Sequence, residues 1–79
     1  MKSKIYITLK KGVLDTQGKT VQHALASLGF EEVRDVRIGK YIELDLQDKD
    51  HESEKFRIKD MCEKLLANTV IESYRFEIE

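Results

Sequence analysis

In the stretch EVRDVRIGKYIELDLQ, the apolar residues Val36, Ile38, Ile42, Leu44 and Leu46 all stand at even positions. Alternation of this kind puts one side of a strand in a core and the other in water. A two-residue hairpin at Gly39-Lys40 breaks the pattern, because it pairs Ile38 with Tyr41 and turns Ile42 to the wrong face. No Asn-Gly or Asp-Gly turn is present either. Two solutions keep the parity: an odd-length loop centred on Lys40, or one long strand that bends at Gly39. About fifteen residues at ~3.3 Å each span ~50 Å. A globule made from 79 residues is only ~30 Å across. A continuous strand must therefore leave its own subunit and serve two cores. The bent strand shared across a dimer is the favoured reading, with the hairpin as its alternative.

The same length makes residues 1–79 a single domain with a small core. With 41% hydrophobic and 37% charged residues the chain is globular rather than disordered. Its 14 basic and 15 acidic side chains leave a net charge of −1, which argues against nucleic acid as a partner, since that relies on a basic face. Cys62 is the only cysteine, so an internal disulfide is impossible and a reducing, cytoplasmic compartment is expected. No apolar run reaches signal-peptide or membrane-span length, so no membrane association is expected.

The rest of the chain alternates strands and helices. Ile5, Ile7 and Leu9 alternate with Lys4, Tyr6, Thr8 and Lys10 as a strand with one buried face. Val21, Ala24, Leu25 and Leu28 form one apolar stripe of a helix. Between them lies GVLDTQGKT, Gly12 to Thr20, which resembles a phosphate-binding loop. That loop needs four residues between its glycines, and this one has five. The chain is also too short for the fold that carries such a loop. The stretch reads better as a turn at Gly12 followed by a helix capped by Asp15, with Gly18 in the first turn. At the other end Gly29 suits a Schellman ending, with Phe30 meeting Leu25. After the polar loop DKDHESEK, the residues Ile58, Met61, Cys62 and Leu65 form a second stripe, ending at Asn68 as a left-handed cap. Phe56 lies off that stripe: either the helix starts after it, or it faces something outside this core. Tyr74, Phe76 and Ile78 alternate in a last strand. The expected fold is α+β: a small β-α-β-α-β domain related to the ferredoxin-like fold, with a long bent or split central strand, two helices on one sheet face, and a dimeric state.

Candidates for chemistry are few. His23 and His51 have no second His or Cys at ligand spacing, so no metal site is expected. Cys62 lies on an apolar stripe and reads as a small core hydrophobe. No Ser, His and Asp arrangement suggests a nucleophile. The cations Arg34, Arg37 and Lys40 surround the bend, with Tyr41 beside them. They read as a solvated strand edge that discourages aggregation, as a contact with an acidic patch on a partner or, as a weaker third option with no helix N-terminus near, as a phosphate site. Lys40 poses a problem of its own, because its even position aims an ammonium at the core. The bend either rotates it to the surface or sets it against an acid across a subunit boundary. The candidate subunit or partner interface is Arg37, Gly39, Lys40, Tyr41 and Phe56. No catalytic, cofactor-binding or metal-ligating residue is assigned.

Three blocks, LKKGVLDTQGKTVQHALASLGF, VRDVRIGKYIELDL and MCEKLLANTVIESYRFEIE, resemble the signature blocks of the PurS family. The resemblance runs from about Ile5 to Ile78. It departs from the family at Thr16 and Thr69, where many members have Pro, a residue suited to a first helical position. Members of that family are small subunits of phosphoribosylformylglycinamidine synthase, in purine biosynthesis. The resemblance implies a non-catalytic homodimer related to two ferredoxin-like subdomains. It implies two partners, a glutaminase subunit that releases ammonia and a large synthetase subunit that carries the ATP and magnesium, with the small subunit assisting ammonia transfer. No cofactor is expected on the small subunit. The alternatives are a small-molecule-binding regulatory ferredoxin-like dimer and a free-standing enzyme built on Cys62.

Overall fold

The computed structural model describes residues 1–79, in the order β1 (Lys2–Leu9), α1 (Thr16–Ser27), β2 (Gly39–Asp45), α2 (His51–Met61), a π-turn (Cys62–Leu66) and β3 (Glu72–Ile78). The strands form one antiparallel sheet in the order β2-β1-β3. Alternation made β1 legible, and its central place follows from having a neighbour on each side. Ile5 faces Ile42 on one side and Phe76 on the other. Ile5 and Ile7 are sealed from water under Ile58 and Cys62 of the second helical segment. Ala67 completes this core, and Ile42, Leu44, Leu46, Leu66, Tyr74, Phe76 and Ile78 pack around it.

The expected class and element order stand, but the two helices are used unequally. α2 covers the sheet, whereas no residue of α1 joins the core. Val21, Ala24 and Leu28 of its apolar stripe are exposed, as is Phe30 beyond its end. The reason lies in the directions of the strands. β2 runs antiparallel to β1 and pairs directly with it. A chain that leaves β1 must therefore travel beyond the end of the sheet and come back in line with β2. The molecule measures 49 × 24 × 14 Å, with a radius of gyration of 16.0 Å. A compact domain of this length has ~12 Å.

Around Gly39 the chain forms neither the plain hairpin nor the expected long continuous strand, since β2 spans only Gly39–Asp45. β2 begins at Gly39, and residues 33–38 lead into it with no strand of the same chain beside them. Two finer expectations also change. Asn68 is not left-handed, since only Gly12 and Gly29 have positive φ. The helix has already ended at Ala67 (φ −122°, ψ 143°), and Asn68 instead accepts the Val70 N–H on Oδ1 at 3.1 Å. Leu65 is 82% exposed rather than core. The π-turn, closed by Ala67 N–H on the Cys62 carbonyl at 3.0 Å, adds a residue to the last turn. Leu66 and Ala67 swing inward in place of Leu65.

Candidate subunit interface

The stretch that resembles a phosphate loop anchors a protruding arm. Asp15 caps α1 by accepting the Gly18 N–H on Oδ1 at 2.8 Å. Its other oxygen accepts the Ile38 N–H at 2.6 Å. These two bonds, Ile38 first, hold its carboxyl below the usual range. A Cβ on Gly18 would lie 2.1 Å from the Val36 carbonyl oxygen, so glycine there lets the first helical turn touch the returning chain. Gln22 Nε2 donates to the Arg34 carbonyl at 3.0 Å. Arg37 donates to the carbonyls of Val13, Leu9 and Lys10 at 3.2, 3.3 and 3.2 Å. The far end of α1 closes as a Schellman motif, with Phe30 N–H on the Leu25 carbonyl and Gly29 N–H on that of Ala26. The first turns of α1 are thus fixed to Asp15 and residues 34–38, its far end is closed by a turn of its own chain, and its apolar stripe is left open.

The five interface candidates do not form one surface. Arg37 is engaged with carbonyls of its own chain. Gly39 lies against β1, where a Cβ would meet the Ile7 carbonyl oxygen at 2.3 Å. Lys40 stands on the core face opposite Ile7. Its ammonium reaches Glu72 of the same chain at 3.4 Å, and the two side chains are 63% and 11% exposed. The acid expected across a subunit boundary is therefore a residue of β3, which the antiparallel register brings to the same end of the sheet. Glu72 also accepts the Asn68 N–H at 2.6 Å. That bond first, and Lys40 after it, holds its carboxyl below the usual range.

Tyr41 points to the opposite face, where the register lines it up with Tyr6 and Arg75. The rings of Tyr41 and Tyr6 are 5.2 Å apart, and the Arg75 guanidinium lies 3.9 Å from the centre of the Tyr6 ring. Charges on this face compensate one another, Lys2 with Glu43 at 3.2 Å and Lys4 with Glu79 at 2.5 Å. Tyr6 and Arg75 were absent from the sequence-based candidates because only the register shows that they meet. Phe56 is within α2 and exposed, so it faces outside the core.

A groove of about 490 Å³ runs between the flank of α2 and the edge strand β2. Leu44, Met61, Leu65 and Leu66 line it together with the charged Arg57, Asp60 and Lys64. Cys62 lies beneath, fully buried, and burial followed by Glu63 pushes its thiol up. It remains a thiol at neutral pH, which suits a core side chain rather than a nucleophile. His23 and His51 are both on the surface.

Comparison with known proteins places this geometry. The model of the PurS family, described as phosphoribosylformylglycinamidine (FGAM) synthase, matches residues 2–79. The chain is 58% identical over 78 residues to the phosphoribosylformylglycinamidine synthase subunit PurS of Bacillus subtilis, covering 99% of this chain and 92% of the relative. The subunit of the same name from Methanocaldococcus jannaschii is 42% identical, with 99% and 94% covered. The crystal structure of Bacillus subtilis PurS superposes with a TM-score of 0.86 over 99% of this chain and 96% of that one. A chain in the structure of PurLQS from Thermotoga maritima, 30% identical, superposes with a TM-score of 0.87 over 96% and 93%. The chain belongs to the PurS family of phosphoribosylformylglycinamidine synthase.

Proposed function

We propose that this protein is the small, non-catalytic subunit of phosphoribosylformylglycinamidine synthase, acting in the cytoplasm as a homodimer. In this reading it bridges a glutaminase subunit and a large synthetase subunit. Ammonia released from glutamine by the first is used by the second, with ATP and magnesium, to convert formylglycinamide ribonucleotide into formylglycinamidine ribonucleotide. Ammonia that escapes into water is protonated and diluted, so an element that holds two active sites in register raises the effective concentration of the nucleophile. The observation that carries the reading is the near full-length likeness to a chain of the PurLQS assembly. The open apolar surfaces on α1 and along the groove support it, since such patches are normally covered by a partner. Reconstitution with the two larger subunits tests it. Adding this protein is expected to raise glutamine-dependent synthesis far more than ammonia-dependent synthesis, and equal activity with and without it would sink the bridging role.

A further inference from the structure

We infer that the cleft between the first turns of α2 and the chain leaving β2 binds a small molecule carrying both a primary ammonium and a carboxylate, the chemistry of a free amino acid. The inference goes beyond the bridging role proposed above and does not depend on it. It starts from the three buried polar side chains of the molecule. Ser3 Oγ donates to the Glu77 carbonyl at 3.0 Å, and Asp15 accepts two backbone N–H groups. Glu54 is 3% exposed, and its carboxylate accepts no hydrogen bond. The one cation beside it is Arg57, whose Nε stands 3.8 Å away, too far for a hydrogen bond. A buried carboxylate in that state carries a desolvation cost that a donor would offset.

No buried side-chain oxygen is sealed from solvent without a partner, so the Glu54 oxygens are reached from outside. The opening is a cleft of about 190 Å³, lined also by Asp45, Gln47, Lys49, Arg57 and Met61. Two acids and two bases therefore face one small space. Asp45 and Lys49 have no ion-pair partner, whereas the neighbouring Lys2, Lys4, Glu43 and Glu79 are all paired. A bare metal ion does not suit this set, because no three metal-binding side chains stand together and two cations share the space. A simple anion leaves Glu54 unanswered. A zwitterion answers both signs, with its ammonium on Glu54 and Asp45 and its carboxylate on Lys49 and the two-thirds exposed guanidinium of Arg57. The turn after β2 already holds one ammonium: the N-terminus of Met1 donates to the Leu46 carbonyl at 3.1 Å and to Asp48 at 2.7 Å. Met61 offers an apolar surface to the ligand's side chain. The cleft is smaller than the ~300–1,000 Å³ of sites for larger ligands, which fits a single amino acid and not a nucleotide.

Titration of the full-length protein, followed by its amide chemical shifts, tests this with three probes: L-valine, n-butylamine and butyrate. L-Valine should shift amides of residues 45–57 saturably, with a Kd of roughly 1 mM. The amine and the acid each satisfy one sign of charge and should bind about tenfold more weakly. Glu54→Gln and Arg57→Gln should each weaken L-valine roughly tenfold, while Lys59→Gln, on α2 but outside the cleft, should not. Unchanged shifts of Ile5 and Ile7 establish that each variant keeps its core. L-Valine binding that survives in both Glu54→Gln and Arg57→Gln overturns the inference, as does the absence of any saturable shift well above millimolar concentration. Butyrate or n-butylamine binding as tightly as L-valine also overturns it, because the cleft would then read only one charge.

Discussion

At one end of the molecule Ile5, Ile7, Ile58 and Cys62 are sealed from water by a sheet and a helix of the same chain. At the other end α1 is held at both of its ends by polar bonds, while Val21, Leu28 and Phe30 stand 37%, 74% and 50% exposed. The two regions differ in what completes them. The sheet end is a small core closed within one chain, of a size that typically supplies only ~3–5 kcal/mol. The arm has well-made caps and anchors but no apolar partner. Capping fixes where a helix begins and ends, and burial decides whether it is stable. A chain that builds precise ends on a helix and leaves its face bare has been shaped for assembly.

The largest effect expected from breaking this contrast comes at the sheet end. Ile58→Ala removes a fully buried side chain and should cost ~3 kcal/mol, measured as a drop in the urea midpoint without change of slope. Gly18→Ala attacks the arm: its methyl group cannot coexist with the Val36 carbonyl. A loss of ~2 kcal/mol is expected, with weaker dimerisation by sedimentation, while the chemical shifts of Ile5 and Ile7 stay put. An unchanged dimer would show that contact between α1 and the returning chain is dispensable.

Acid should act on the arm before the sheet. Asp15 has a folded pKa below its unfolded value, so its contribution is present above the unfolded pKa and is lost as pH falls through the folded one. Below pH ~4 the amide of Ile38 should lose hydrogen-exchange protection earlier than those of β1. Asp15→Asn should flatten that dependence. Retention of the wild-type profile in Asp15→Asn would remove Asp15 from the explanation.

The smallest effects sharpen the account. Thr16 is the first residue of α1 and follows an extended Asp15 (φ −101°, ψ 92°), a backbone that tolerates proline next. Thr16→Pro should stabilise by ~0.5 kcal/mol through the unfolded state, seen as a small rise in Tm. Lys40→Met removes the cation beside Glu72. The ammonium is largely exposed, so stability should change by less than ~1 kcal/mol. Glu72 should titrate slightly higher, still held down by Asn68. A tenfold loss of dimer affinity in Lys40→Met would instead return this lysine to the subunit boundary.

Local chemistry was legible wherever one residue and its near neighbours decide the outcome. Asp15 could be read as a cap, Gly29 as a helix ending, β1 from its alternation, and the Gly39 region as a problem for a plain hairpin. What depended on distant partners was not. The bond from Ile38 to Asp15 spans 23 residues, and the meeting of Tyr6 with Arg75 needs the sheet register. Leu65 and Leu66 exchange roles because of a π-turn that contains no Gly or Pro to announce it. Lys40 was rightly seen as unable to stay buried and unpaired, but its acid came from 32 residues later in the same chain.

Hydrogen exchange measured above and below the dimer dissociation constant tests the central contrast most directly. If α1 is completed only by a second copy, amides from Val21 to Leu28 should be protected at high concentration and exchange rapidly on dilution. Those of Ile5 and Ile7 should stay protected throughout. Protection of α1 that does not change across the dissociation range would contradict the account, because the helix would then be stable within its own chain.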